Sequence, residues 1–169
     1  MTQPGKSKTH SLAAVSIRQA ISYSLPSEAI ALIQETDMDI ADEFLRTPLM
    51  HAASKGKSEI VLWLLKRGAK IDLQDSEGFS ALHLAIQGKH ATIVESLLEE
   101  GANVELRDIH GNTPLWRATF DARGKYDLVK LLIKHSASCN SKNNANRSPL
   151  DFAEQIADHD LTKILLGDG

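Results

Sequence analysis

Apolar residues in this chain recur in pairs one helical turn apart: Ile60, Val61, Leu64 and Leu65, then Ile93, Val94, Leu97 and Leu98, then Leu128, Val129, Leu132 and Ile133. Spacing of the form i, i+1, i+4, i+5 draws a single apolar stripe along a helix and leaves the opposite side polar. A weaker copy, Ala29, Ile30, Leu32 and Ile33, stands upstream. A second, shorter kind of element begins at Thr47-Pro48-Leu49-Met50, Ser80-Ala81-Leu82-His83, Thr113-Pro114-Leu115-Trp116 and Ser148-Pro149-Leu150-Asp151, with starts spaced by 33, 33 and 35 residues. Each opens on Thr or Ser, whose hydroxyl can accept from the free N–H groups of a first helical turn. Three continue with Pro, whose missing N–H costs nothing there.

These elements form helix pairs. Ala52-Ala53, Ala85 and Ala118 in the short helices are small enough for neighbouring helices to approach closely. Gly68 and Gly101 follow the long stripes, where a left-handed residue ends a helix, and Ser136 stands in that place in the third copy. Asp75-Ser76-Glu77-Gly78 and Asp108-Ile109-His110-Gly111 read as tight turns leading into the next cap. A fixed period of this kind is the signature of stacked repeats. The expected organisation is a flexible tail over 1–13 and one repeat domain over 14–169, with units at 14–41, 42–74, 75–107, 108–142 and 143–169, the outer two serving as caps.

Those residues resemble the ankyrin repeat family, whose Thr-Pro-Leu-His-x-Ala-Ala signature is most complete at Thr47 to Ala53 and Thr113 to Thr119. The resemblance implies an all-α repeat solenoid of helix-turn-helix pairs joined by β-turn or hairpin loops. Departures are visible: Met50, Trp116 and Asp151 replace the signature His, Lys89 replaces the Gly that ends a first helix, and Leu45 and Asn146 replace the turn Gly. Two extra residues fall within Phe120 to Lys125.

Composition narrows the function. Nineteen Lys and Arg against 22 Asp and Glu give a net charge of -3, so no overall positive field is available to hold a nucleic-acid backbone, and 5% aromatics leave little stacking surface. Cys139 is alone, the first ten residues lack an apolar core of the signal-peptide kind, and no apolar run approaches the ~20 residues of a membrane span. A cytoplasmic protein that contacts neither nucleic acid nor membrane is expected. The histidines are scattered without partners at metal-ligand spacing, and a solenoid offers a surface rather than a closed pocket. No catalytic residue, metal or cofactor is therefore expected. His83 reads as scaffold, Cys139 and Trp63 as core, and Trp116 as filler between repeats or a contact residue.

What the resemblance implies is binding of another protein by the turn tips and the exposed side of the first helices. The positions that match are Glu43, Phe44 and Arg46; Ser76, Glu77 and Phe79; Ile109, His110 and Asn112; and Asn144 and Arg147. The short helices add Lys55, Gln87, Trp116, Phe120, Asp121 and Arg123. The stretch from Thr113 to Phe120, with Ser148 to Ala153, looks like small bacterial ankyrin proteins, some of which resemble immunity proteins encoded beside toxins. This implies an inhibitor, monomeric on its own, that covers a cognate toxin or effector. The alternative is a scaffold or regulatory subunit that recruits without inhibiting.

Overall fold

The computed structural model of the chain describes residues 6–167, with side chains from Leu12 onward. Among the described residues there are ten helices and no strand: α1 (Lys6–Tyr23), α2 (Pro26–Gln34), α3 (Pro48–Ser54), α4 (Ser58–Lys66), α5 (Ala81–Gln87), α6 (Ala91–Glu99), α7 (Pro114–Phe120), α8 (Asp127–Lys134), α9 (Pro149–Gln155) and α10 (His159–Leu166). They form an all-α repeat solenoid of five pairs. The odd-numbered helices pack in sequence as one layer, and α2, α4, α6 and α8 form a second.

The caps form as the sequence requires. Thr47, Ser80, Thr113 and Ser148 each accept from the backbone N–H three residues on, at Met50, His83, Trp116 and Asp151. The stripes Ile60, Val61, Leu64, Leu65 and Ile93, Val94, Leu97, Leu98 are buried, with Ala52, Ala53, Ala85 and Ala118 between the layers. Full burial of each large aliphatic side chain stabilises by about 1.5–3 kcal/mol, so the stripes supply most of the adhesion between repeats.

Two expectations change. Helix α1 starts at Lys6, inside the stretch expected to be a tail, because no Gly or Pro interrupts the chain between Lys6 and Tyr23; residues 1–5 lie outside the described region. On α2, Ala29 and Ile33 are buried, but Leu32 is 38% exposed. It falls on the outer side of a nine-residue helix that has one layer of neighbours to cover it.

The turns between pairs are organised around one side-chain oxygen each, from a buried Asp in the first three and from half-buried Asn143 in the fourth. Asp42 Oδ1 accepts from the N–H groups of Phe44 at 2.9 Å and Arg46 at 3.0 Å. Asp75 does the same for Glu77 and Phe79, Asp108 for His110 and Asn112, and Asn143 for Ala145 and Arg147. The tips are then tied to one another: Ser76 N–H donates to the Phe44 carbonyl, Ile109 N–H to Glu77, and Asn144 N–H to His110, each at 2.9 Å.

A left-handed residue closes each turn between pairs, and at such positions, as at some helix ends, the departures are accommodated: Leu45, Lys89, Ser136 and Asn146 have φ of 60°, 58°, 66° and 58°. Glycine is required only where space also forbids a side chain. At Gly78, φ is 78° and a Cβ would lie 2.8 Å from the Asp108 Cα, whereas at Gly68, with φ of 79°, nothing lies within 4 Å. Gly68→Ala is therefore expected to cost about 1 kcal/mol, the conformational penalty alone. Gly78→Ala is expected to cost about 2 kcal/mol or more, because backbone of the next repeat must also move. Urea unfolding of both variants checks the order.

Candidate functional site: the row of turn tips and first helices

The candidate site is the row of tips together with the exposed side of the odd-numbered helices. Glu43, Phe44, Lys55, Ser76, Glu77, Gln87, Ile109, His110, Phe120, Arg123, Asn144 and Arg147 are exposed, and Arg46, Trp116 and Asp121 are half-buried. Phe44 and Phe120 present the largest aromatic surfaces of the set, at 53% and 49% exposure. Two expected contact residues are structural instead. Phe79 is only 9% exposed: it closes the turn from below, its ring 5.9 Å from that of His83 with the Arg117 guanidinium 5.5 Å above it. Asn112 is buried, donating to Asp108 at 3.2 Å and accepting from Asn143 at 2.8 Å.

Two clefts gather the rest unequally. One of about 560 Å³ at the C-terminal end brings together His110, Asn112, Trp116, Asn144 and Arg147. The other, of about 400 Å³, joins Phe44, Arg46 and Lys55 to Arg18, Gln19, Ser22 and Tyr23 of α1. Sequence reasoning missed these four α1 residues, because the first repeat carries no signature by which its exposed side could be numbered. Ser76, Glu77 and Ile109 stay on the ridge of tips. Asp121 lines a separate groove of about 250 Å³ with Lys89 and Lys125, between the loops that end α5 and α7. Arg123, at φ of 42°, belongs to the lengthened loop after α7 and lines none of these clefts.

Trp116 is both filler and surface. It stacks on Phe120 with centroids 5.4 Å apart and 14° between planes, and Phe152 completes the cluster at 5.7 Å and 5.4 Å. Phe152, also missed from sequence, follows the cap of the last short helix. Among the described residues, three buried polar side-chain atoms lack a partner, Trp116 Nε1, Arg117 Nε and Thr119 Oγ1, and all belong to α7. Such atoms weaken the native state by their lost hydration.

Charges beneath the face are scaffolding. Burial pushes the Asp42 carboxyl up, but the N–H donors of Arg46 and Phe44, together with His51, outweigh it and hold it below the usual range. Burial drives His51 down despite its 2.9 Å contact with Asp42. His83 is pushed down to about 4, chiefly by burial. Its Nδ1 accepts from the Ser80 N–H at 3.2 Å, while Nε2 lies 3.4 Å from the Asn112 carbonyl, a pattern that only the neutral Nε2–H ring satisfies. Asp151 takes the equivalent place beside Ser148, accepting its N–H at 2.8 Å. Cys139 is half-buried rather than fully enclosed, and burial raises its thiol, with Glu105 adding to the effect. Trp63 is likewise half-buried, under the Arg67 guanidinium at 4.5 Å. Among the described residues no group of three or more His, Cys, Asp or Glu is placed to hold a metal ion, and no helix is long and apolar enough to cross a membrane.

A family model described as "Ankyrin repeats (3 copies)" matches residues 17–108, and one described as "Ankyrin repeat" matches 110–144. Among similar proteins, a putative palmitoyltransferase ZDHHC13 of Danio rerio is 37% identical over 73% of this chain and 19% of its own length. Ankyrin repeat and SOCS box protein 16 of Mus musculus is 35% identical over 64% of this chain and 25% of its own. Rabankyrin-5 of Homo sapiens is 30% identical over 72% and 10% respectively. The chain thus spans at most a quarter of the length of these relatives, and they are animal proteins, so they lend nothing to the bacterial immunity resemblance.

A pH dependence follows from His83. Its folded-state value lies below the ~6.5 of an unfolded chain, so the unfolded state takes up the proton first as pH falls. The contribution of the neutral ring is complete above about pH 6.5 and is lost towards pH 4, about 3 kcal/mol in all. Urea midpoints across that window are expected to fall more steeply for the native chain than for His83→Gln, which keeps an acceptor for Ser80 but no proton to bind.

Proposed function

The chain belongs to the ankyrin repeat family, whose repeats bind other proteins, and from that premise we propose that it acts by covering part of one partner's surface with its tips and first helices. The observation that carries this reading is the ladder of tips. Turns pinned by buried Asp and bonded to their neighbours lose little freedom on binding, while Phe44, Ile109 and Phe120 stand exposed beside them. Rigid backbone with exposed aromatic anchors is what efficient protein recognition needs. A standard interface buries ~800 Å² per partner, so tips from several repeats act together.

The finer reading is inhibition: a partner whose working surface lies under the solenoid is blocked, as an antitoxin blocks a toxin or effector. It rests on the sequence resemblance of Thr113 to Phe120, with its two-residue insertion, Asn143-Asn144 and Ser148 to Ala153 to small bacterial ankyrin proteins, some of which resemble immunity proteins. A scaffold would leave its partner's activity intact, so activity of the partner at equimolar ratio separates the two.

The binding reading is tested on a partner captured by affinity and then purified. Phe44→Ala with Phe120→Ala is expected to weaken calorimetric affinity by about thirtyfold or more, while the melting temperature moves by only a few degrees. Lys66→Ala, on the outer side of α4, is expected to leave affinity unchanged. The reverse pattern contradicts the proposal.

A further inference from the structure

The cleft between α1 and α3 differs in chemistry from the rest of the face. Three cationic side chains line it, Arg18, Arg46 and Lys55. Asp42, Glu43 and Asp75 match them in number, but Asp42 and Asp75 are buried beneath the cleft while the cations reach solvent. Its open side is therefore rich in charged donors, and only Glu43 stands among them at the rim.

Both arginines are already positioned. Arg46 Nε holds Asp75 Oδ2 at 2.8 Å, and Arg18 NH1 lies 3.1 Å from Glu43 and 3.5 Å from Asp42. Each guanidinium is therefore anchored through one nitrogen, and the remaining fork of each has no partner among the described residues. A fork fixed in this way loses little rotamer freedom when it binds a second carboxylate, which it can grip with two parallel bonds. Lys55 is exposed and forms no ion pair among the described residues, so its charge is uncompensated. Tyr23, 89% exposed, and Phe44 supply apolar surface beside these donors.

We propose that this cleft receives an acidic segment of the partner protein, with one or more Asp or Glu carboxylates on Arg18, Arg46 and Lys55 and an adjacent apolar side chain against Tyr23 and Phe44. This rests on the reading of the face as a protein-binding surface and names the chemistry of one end of it. The aromatic cluster of Trp116, Phe120 and Phe152 takes no part. A carboxylate peptide fits better than a nucleic-acid strand because the donors are confined to one cleft rather than spread as a basic track, and better than a free phosphate because Tyr23 and Phe44 offer surface to an adjacent apolar side chain.

The probe is a random peptide library displayed on phage, selected on the full chain and in parallel on Lys55→Glu, a substitution that removes no side-chain hydrogen bond or ion pair among the described residues. Selection on the native chain is expected to enrich peptides with clustered Asp or Glu beside Leu, Phe or Tyr. Anisotropy of a labelled peptide from that set is then expected to weaken by about tenfold on Lys55→Glu, and similarly when its Glu residues become Gln. Raising salt is expected to weaken it further. Lys66→Glu, elsewhere on the surface, is expected to change nothing. Enrichment of purely apolar peptides that depend on Phe120 and ignore Lys55 overturns the cleft assignment while leaving the protein-binding reading in place. Recovery of no peptide above background, or tighter binding of a phosphorylated analogue than of its Glu counterpart, also overturns it.

Discussion

Each inter-repeat turn is built around a single side-chain oxygen, buried in the first three at Asp42, Asp75 and Asp108 and half-buried in the last at Asn143. Removing Asp75 from water is costly, and the cost is offset because its Oδ1 accepts two backbone N–H groups and its Oδ2 an arginine at 2.8 Å. That arrangement satisfies amides that a bare turn would leave to solvent. It also directs the free N–H of the next residue sideways into the preceding repeat. The stack of hydrophobic helices explains why the molecule is a solenoid. The buried oxygens explain why its exposed edge is a row of fixed turns rather than a fringe of loops.

The same constraint divides anchors from contacts. Phe79 and Arg46 are both drawn from turns of identical form, yet Phe79 is swallowed by the stack while Arg46 spans from its own turn to the next repeat's aspartate. Asn112 and Asn143 continue the pattern where a charge is absent, one amide bonded to the other. What remains for a partner is the outer part of each tip and the surfaces of α3 and α7, and these differ along the stack. The N-terminal end offers guanidinium donors beside Tyr23 and Phe44, and the C-terminal end offers the stacked rings of Trp116 and Phe120. The two ends of the face are therefore chemically distinct.

Much of this is legible in the sequence because the repeat forces it. The caps at Thr47, Ser80, Thr113 and Ser148, the apolar stripes and the left-handed positions occupied by Leu45, Lys89, Ser136 and Asn146 all follow from aligning copies of one unit. Burial within a turn does not. Phe44 and Phe79 occupy the second and fourth positions after their aspartates, and only the structure shows that the ring at the fourth is covered. The α1 side of the N-terminal cleft was illegible for another reason: a cap repeat has lost the signature that would have numbered Arg18 and Tyr23 against the others. The helical start at Lys6 was hidden because the polar run Lys6 to Ser11, rich in Ser, Thr and His, carries neither strong helix propensity nor an apolar period to reveal it.

The most direct measurement is native-state hydrogen exchange at the tips. If buried oxygens and the inter-repeat bonds hold these turns, the amides of Phe79, Asn112, Ser76 and Ile109 exchange slowly, protected by a factor of at least about a thousand and on the scale of the helical core. Exchange at the rate of free loops, with only the helices protected, would contradict the account.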